Sequence, residues 1–158
     1  MTKIIVPVDG SEASLRAVRF AGEIASKLGG SVVLLHVLDK LPARQQLKDY
    51  LSVLEAQPLA DEGEIDTIRA VLEKSGEKKG RELLVDAEKL VRNMGIEDVS
   101  TEIHDGDPAT KLLSLAAAGH FDMIVMGRRG LGHVKGIVMG SVSHKVSNLA
   151  DCPVVTVK

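Results

Sequence analysis

Five strand-like segments alternate along the chain with segments of helical periodicity, and this alternation constrains the fold more than any other feature. Four are apolar runs, Lys3–Val8, Ser31–Leu38, Asp122–Met126 and Pro153–Val157, and Val99–His104 has alternating character. Strands that alternate with helices form a parallel sheet covered on both faces, and right-handed crossovers leave few topologies. We therefore predict an α/β fold, a three-layer doubly wound five-stranded parallel sheet with the strand order 3-2-1-4-5.

Cap and turn signals place the helices between these strands. Ser11 and Gly29 bracket the first helix, since Ser favours a helix start and Gly a helix end. The buried face of this helix is predicted to carry Leu15, Val18, Ala21, Ala25 and Leu28. Asp107 and Pro108 predict the start of a later helix, which runs to about Gly119, because Asp caps free N–H groups and Pro is tolerated at the first helical position.

Residues 39–79 break the alternation. The chain of 158 residues is long enough for one domain, so we predict a single domain over 1–158 with a helical insertion at about 39–79. Two groups recur at helical spacing, namely Leu47, Tyr50, Leu51 and Leu54, and then Ile65, Ile68 and Leu72. Mobile joints are predicted near Pro58, Gly63 and 75–80, followed by a separate helix that Gly95 ends.

Composition excludes several classes of protein. The net charge is −2 and aromatic residues make up 2% of the chain, so neither a broad nucleic-acid surface nor base-stacking platforms are indicated. No apolar stretch approaches the ~18 residues of a membrane span. The lone Cys152 cannot form an internal disulfide and is predicted to be a packed thiol. No signal peptide is indicated, so we expect a cytoplasmic protein.

A cluster of glycines follows the fourth strand and leads into the last helix. Its members are Gly127, Gly130, Gly132, Gly136 and Gly140. Open α/β sheets bind anions at the carboxyl ends of strands, where glycine admits a phosphate and a helix N-terminus offers free N–H groups. A flexible surface loop is the alternative. The loop has neither the Gly-Lys-Ser/Thr of a Walker A motif nor the full Rossmann spacing.

Charged residues near this loop have two interpretations each. Arg128, Arg129 and Lys135 either screen phosphates or are solvated surface charges. Asp9, at the end of the first strand, either contacts the ligand or stabilises the N-terminus of the first helix. His133 either touches a phosphate or, as we favour, is an exposed loop residue without a role in binding. His36 is predicted to be a strand residue with a satisfied ring.

The pattern Gly127, two residues, Gly130, nine residues, Gly140, Ser141 resembles the signature of the universal stress protein family, specifically its ATP-binding branch. The likeness covers nearly the whole chain. It also includes Pro7-Val8-Asp9-Gly10-Ser11, Asp105-Gly106-Asp107-Pro108 and Cys152-Pro153-Val154. The resemblance implies an adenine nucleotide alpha hydrolase-like, Rossmann-like fold, with a segment at 39–79 that varies in length among such proteins.

The resemblance also implies how ATP would be bound. Val37 would bond the adenine edge through its backbone, and Asp9 would meet the ribose or a Mg²⁺ or Mn²⁺ ion carried with ATP. Backbone N–H groups and hydroxyls of 140–143 would hold the triphosphate. The implied nucleotide-binding residues are Pro7, Val8, Asp9, Val37, Met126, Gly127, Arg128, Arg129, Gly130, Gly140, Ser141, Val142 and Ser143. No catalytic residue is assigned.

The last strand is short, apolar and predicted to lie at a sheet edge, and a bare edge invites pairing. A second copy of the same strand would cover it, which predicts a homodimer, and the resemblance implies the same contact. The strand consists of Pro153, Val154, Val155, Thr156 and Val157. Coverage of the edge by a loop or by the insertion is the alternative.

These observations favour a nucleotide-dependent regulatory protein in the stress response, which would act on a downstream protein partner that the sequence does not identify. Fast phosphoryl transfer would lack its usual parts, because no general base and no P-loop lysine are present. Two alternatives stay open. One is a slow ATP hydrolase or nucleotidyl-transferring enzyme on the same scaffold, and the other is a chaperone-like dimer that binds no nucleotide.

Overall fold

The computed structural model describes residues 1–38, 46, 47, 49, 62–131 and 139–158. Its strands are β1 (Lys3–Pro7), β2 (Ser31–Leu38), β3 (Val99–Asp105), β4 (Met123–Gly127) and β5 (Val154–Val157). Its helices within those ranges are α1 (Glu12–Leu28), α2 (Glu62–Arg92), α3 (Pro108–Ala118) and α4 (Ser141–Leu149). The predicted alternation of strands and helices is therefore confirmed for the part of the chain that the structure describes.

The sheet has the order β3-β2-β1-β4-β5 with parallel pairing throughout, which confirms the predicted strand order. Alternate residues of the central strands point to opposite faces. Ile4 and Leu34 join the core under α1 and α2, whereas Ile5 and Leu35 join the core under α3 and α4. Burial on both faces is why these strands are continuously apolar in sequence. The carboxyl ends of β1 and β4 thus lie side by side at the sheet's centre.

Helix α1 begins and ends as predicted, but its buried face differs from the predicted one. The Ser11 hydroxyl accepts from the Ser14 N–H (3.1 Å), and Gly29 has the left-handed φ of 65° that ends many helices. Leu15 is 37% and Leu28 59% exposed, so their assignment to the core was wrong. The buried face consists mostly of small residues: Ala13, Ser14, Ala17, Val18, Ala21, Gly22 and Ala25. Small side chains let α1 lie close to the sheet.

The predicted joint at 75–80 was wrong. Helix α2 runs without a break for 31 residues from Glu62 to Arg92. Gly63 is its second residue, and Gly76 and Gly80 are interior positions. A Cβ at Gly80 would lie 2.5 Å from His36 Cδ2, so this glycine allows the helix to pass close to β2. Of the predicted helix around Leu47, Tyr50, Leu51 and Leu54, residues 46, 47 and 49 are described; they are helical, and Leu47 is buried. The rest of that helix and the joint at Pro58 fall outside the described residues, and the full extent of the insertion stays a prediction.

Gly76 and Gly80 of α2 should respond in opposite directions to the same substitution. We expect Gly76→Ala to raise the free energy of unfolding by about 0.5–1 kcal/mol, since alanine is the better helix former and the nearest atom to the new Cβ is 4.0 Å away. Gly80→Ala should instead lower it by roughly 1 kcal/mol or more, because the His36 ring occupies the space. Urea unfolding of both variants tests this, and stabilisation by Gly80→Ala would contradict the packing.

Asp107 caps α3 as predicted and also ties α3 to α4. Its carboxylate accepts from the Thr110 N–H (2.9 Å) and from Lys145 Nζ on α4 (3.0 Å). The Thr110 hydroxyl, then the Thr110 N–H and then Lys145 hold the pKa of this carboxyl well below its usual range. Ionised Asp107 therefore fixes the start of α3 beside α4.

Cys152 packs against the core under α3 and α4, as predicted for a structural thiol. Burial, followed by the nearby negative charge of Asp151, raises the pKa of this thiol, which disfavours the reactive thiolate. None of the helices within the described ranges has the length and apolar character needed to cross a membrane.

Candidate functional site

A cavity of about 440 Å³ opens at the carboxyl ends of β1, β2 and β4, beside the N-terminus of α4. It is the place where an open α/β sheet binds ligands. Every residue of the predicted nucleotide site except Arg128 lines it. The structure thus brings together residues that are widely separated in the sequence, such as Asp9, Val37 and Ser141.

Five lining residues were not predicted: Ser14, Leu35, His36, Pro108 and Leu131. Leu35 and His36 precede Val37 on β2, and Pro108 opens α3. Their positions next to predicted strand ends and helix starts could have pointed to them. No sequence signal pointed to Ser14, because it reaches the cavity only through the packing of α1 against Gly127.

The first turn of α4 presents free main-chain donors to the cavity. Gly140 is the N-cap, and its own N–H donates to the Arg128 carbonyl (2.9 Å). The first N–H bonded within the helix is that of His144, which donates to the Gly140 carbonyl (2.9 Å). The N–H groups of Ser141, Val142 and Ser143 have no acceptor among the described residues. Three neighbouring amides at the positive end of a helix can bind an anion.

The Ser143 hydroxyl has a structural task that the sequence did not indicate. Ser143 is 2% exposed, and its hydroxyl lies 2.7 Å from the Arg128 carbonyl oxygen and 3.0 Å from that of Gly140. A hydroxyl has one hydrogen to donate, and here it is directed to these carbonyls. Ser143 therefore offers the cavity its amide, whereas its side chain fixes the loop to α4.

Two signature glycines are required by close packing. A Cβ at Gly127 would lie 2.9 Å from the main chain of Ala13 and Ser14, so only glycine lets α1 rest on the end of β4. A Cβ at Gly130 would lie 2.6 Å from Asp9 Oδ2. The glycine at 130 therefore leaves room for a carboxylate on the cavity wall.

Asp9 has the structural role predicted for it, and its ligand role stays a prediction. One carboxylate oxygen accepts from the Ser11 N–H (2.9 Å) at the start of α1, and the other faces Gly130. The first contact stabilises the turn into the helix, and the second leaves an oxygen at the cavity. Among the described residues, no group of three or more His, Cys, Asp or Glu side chains could hold a metal ion.

Val37 presents main-chain groups that the sheet does not use. Strand β1 pairs with β2 as far as Pro7 opposite Leu35, and the Val8 N–H donates to the Leu35 carbonyl (2.7 Å). A parallel ladder would next join the Val37 N–H to the Val8 carbonyl. His36 Nδ1 lies 2.7 Å from that oxygen instead, which confirms the satisfied ring. The Val37 N–H has no acceptor within the described part of the chain.

The two loop arginines have different positions. Arg129 is exposed and lines the cavity, where it can screen a phosphate. Arg128 does not line it. The Arg128 N–H donates to the Val157 carbonyl (2.7 Å), and its buried Nε has no partner among the described residues. The other loop residues considered above, Gly132, His133, Lys135 and Gly136, lie outside the described residues.

The family model of the universal stress protein family matches residues 1–158. This chain belongs to the universal stress protein family. Universal stress protein YxiE of Bacillus subtilis is 33% identical over 99% of this chain and 98% of its own length. Universal stress protein MJ0531 of Methanocaldococcus jannaschii is 31% identical over 99% of this chain and 81% of its own length.

Solved structures of universal stress proteins share the fold. One of them, determined in complex with cAMP, is 25% identical, covers 99% of this chain and 97% of its own, and has a TM-score of 0.65. The fold of this family member is therefore the Rossmann-like adenine nucleotide alpha hydrolase type, as the resemblance implied.

Proposed function

We propose that this universal stress protein binds ATP in the cavity and acts as a nucleotide-dependent regulatory protein. The observation that carries the proposal is the pair of unused main-chain donor sites in one cavity. Among the described residues, the amides of Ser141, Val142 and Ser143 at the start of α4 and the N–H of Val37 near the end of β2 have no acceptor, and all four residues line the cavity. One site suits an anion and the other suits the polar edge of a base.

The phosphate end is supported by charge and space. The three α4 amides and the helix dipole favour a negative group, and Arg129 adds a cation at the same cavity. Gly130 and Gly140 admit a phosphate without a side chain in the way. Phosphates bound here would be held by main-chain amides, which the fold positions before the ligand arrives.

The base end is supported by apolar walls and one polar strip. Pro7, Leu35 and Met126 line this part of the cavity and can cover a flat ring. Val37 offers an N–H beside its C=O. A structural relative was solved in complex with cAMP, which is also an adenine nucleotide and supports the same base in this site.

A divalent cation would rest mainly on the nucleotide. The free oxygen of Asp9 faces the cavity and can supply one ligand to Mg²⁺ or Mn²⁺, ions that accept carboxylate and phosphate oxygens together. Asp9 fits such a shared site, because its other oxygen is already held by Ser11. His36 also lines the cavity, and its Nδ1 is bonded to the Val8 carbonyl.

We also propose that two copies pair through β5. Val154 and Val155 pack against opposite faces of the sheet, and β5 pairs with β4 alone among the described strands. The carbonyl of Pro153 accepts from β4, and that of Val157 accepts from Arg128. The odd-numbered residues of β5 therefore direct their main-chain groups toward β4. The N–H and C=O groups of Val154 and Thr156 therefore point outward and can pair with a second copy.

Mass spectrometry of small molecules released from the freshly purified protein tests the nucleotide proposal. We expect ATP among them, and we expect calorimetry of the emptied protein to show ATP binding that GTP does not match. Absence of any released nucleotide, together with no heat on titration with ATP, would contradict the proposal. The same emptied protein would serve to search for the downstream partner in the cytoplasm with and without ATP.

A further inference from the structure

The Val8 carbonyl has two potential donors and uses one of them. Val8 is 2% exposed, and a buried carbonyl left without a donor costs free energy. The parallel register would supply the Val37 N–H. His36 Nδ1 supplies the bond instead, at 2.7 Å. Because a carbonyl only accepts, Nδ1 carries the hydrogen.

We propose that His36 is a positioning residue for the adenine base. By donating to Val8, it occupies the acceptor that the β1–β2 ladder would offer to the Val37 N–H, which stays open to the cavity beside the Val37 C=O. The inference rests on the proposed nucleotide function and goes beyond it, because it states which side chain prepares the base site and how.

The arrangement discriminates between purines. Adenine carries an amino donor next to a ring-nitrogen acceptor, which matches the C=O and N–H of Val37. Guanine carries an oxygen acceptor next to a ring N–H. Its acceptor would therefore face the Val37 C=O, and its donor would face the Val37 N–H. A site built around hydrogen bonds rejects such an analogue because its polar groups are left unpaired. His36 therefore sets base preference without touching the base.

The His36 ring is held in one place by α2. It stands on the face of the sheet opposite to Leu35 and Val37, whose side chains join the core under α3 and α4. A Cβ at Gly80 would lie 2.5 Å from His36 Cδ2 and 3.1 Å from Nε2, so helix α2 closes the other side of the ring. This close packing limits the movement of the ring away from Val8.

Two substitutions separate the effect of the His36 hydrogen-bond donor from the effect of the volume of its ring. His36→Leu removes the donor, so the Val8 carbonyl should take the Val37 N–H and close the ladder. We expect ATP affinity to fall about tenfold, the value of one hydrogen bond, and the preference for ATP over GTP to fall by a similar factor. In His36→Asn the side-chain nitrogen sits as many bonds from Cα as Nδ1 does, and we expect most of both properties to be kept.

Amide hydrogen exchange at Val37, followed by NMR without nucleotide, measures directly whether the Val37 N–H is hydrogen-bonded to β1. We expect this amide to exchange freely in the wild type and in His36→Asn, and to be protected in His36→Leu. Equal ATP affinity and base preference in all three proteins, or an unprotected Val37 amide in His36→Leu, would overturn the positioning role. A wild-type protein that binds no ATP would overturn the proposed function instead. The exchange experiment would still test whether His36 keeps the Val37 N–H out of the β1–β2 ladder.

Discussion

Replacing Gly140 by valine is expected to reduce ATP affinity at least 100-fold while the protein stays folded. A Cβ at this position has only ordinary contacts, 3.5 Å from Arg128, Arg129 and Ser143, and the Gly140 φ of −69° suits any residue. The two further methyl groups of valine would crowd the free amides of α4. Each lost bond to a charged phosphate costs about 1.5–3 kcal/mol, and 1.4 kcal/mol is a factor of ten in affinity.

Calorimetry with ATP and thermal unfolding of the same samples measure the two halves of this prediction. Gly140→Ala is the matched control, because its single methyl group fits, and we expect it to retain more of the affinity than valine does. Gly127→Ala is a second control, for a substitution that acts on stability. It should lower stability by about 1–3 kcal/mol, since its Cβ would meet the main chain of α1. Undiminished ATP affinity in Gly140→Val would refute the phosphate pose.

Replacing Thr156 by proline is expected to convert the proposed dimer into monomers at micromolar concentration. The Thr156 N–H points away from β4, so proline removes no bond of the subunit's own sheet. It does remove one edge donor from each copy and places a ring where the second strand would lie. We expect the dimer dissociation constant to rise at least 100-fold, two lost bonds and a steric clash being the cause.

Sedimentation velocity over a range of concentrations measures the effect. Thr156→Val keeps the N–H and a similar shape, and it should leave the association unchanged. Substitution of Val155 would be less informative, because its side chain packs against the core of its own subunit. An equal sedimentation coefficient for the wild type and Thr156→Pro at all concentrations would reject pairing through β5.

The sequence predicted the sheet well because the relevant signals are local. Apolar runs, Ser11 at the start of α1 and Asp107 at the start of α3 each announce their own structure. The continuity of α2 was not predictable in this way. Gly76 and Gly80 look like helix breakers in sequence, and only the contact between Gly80 and His36 explains why a glycine is tolerated inside the helix.

The candidate site shows the same division. The glycine pattern located the cavity because its spacing encodes a loop between a strand and a helix. The use of each group depends on contacts across the fold that spacing does not encode. The Ser143 hydroxyl holds Arg128, and the Val8 carbonyl is taken by His36. Both bonds join residues that are distant in sequence, so they emerged only from the structure.

Helix α2 continues beyond the strand on which it packs. Gly76 lies beside Leu38, the last residue of β2, so the turns of α2 before Gly76 extend past the end of that strand for about 20 Å, at 1.5 Å per residue. Ile65 in these turns is 1% exposed, so the extension has a buried face of its own. The position of this end of α2 therefore depends on contacts other than those with the sheet.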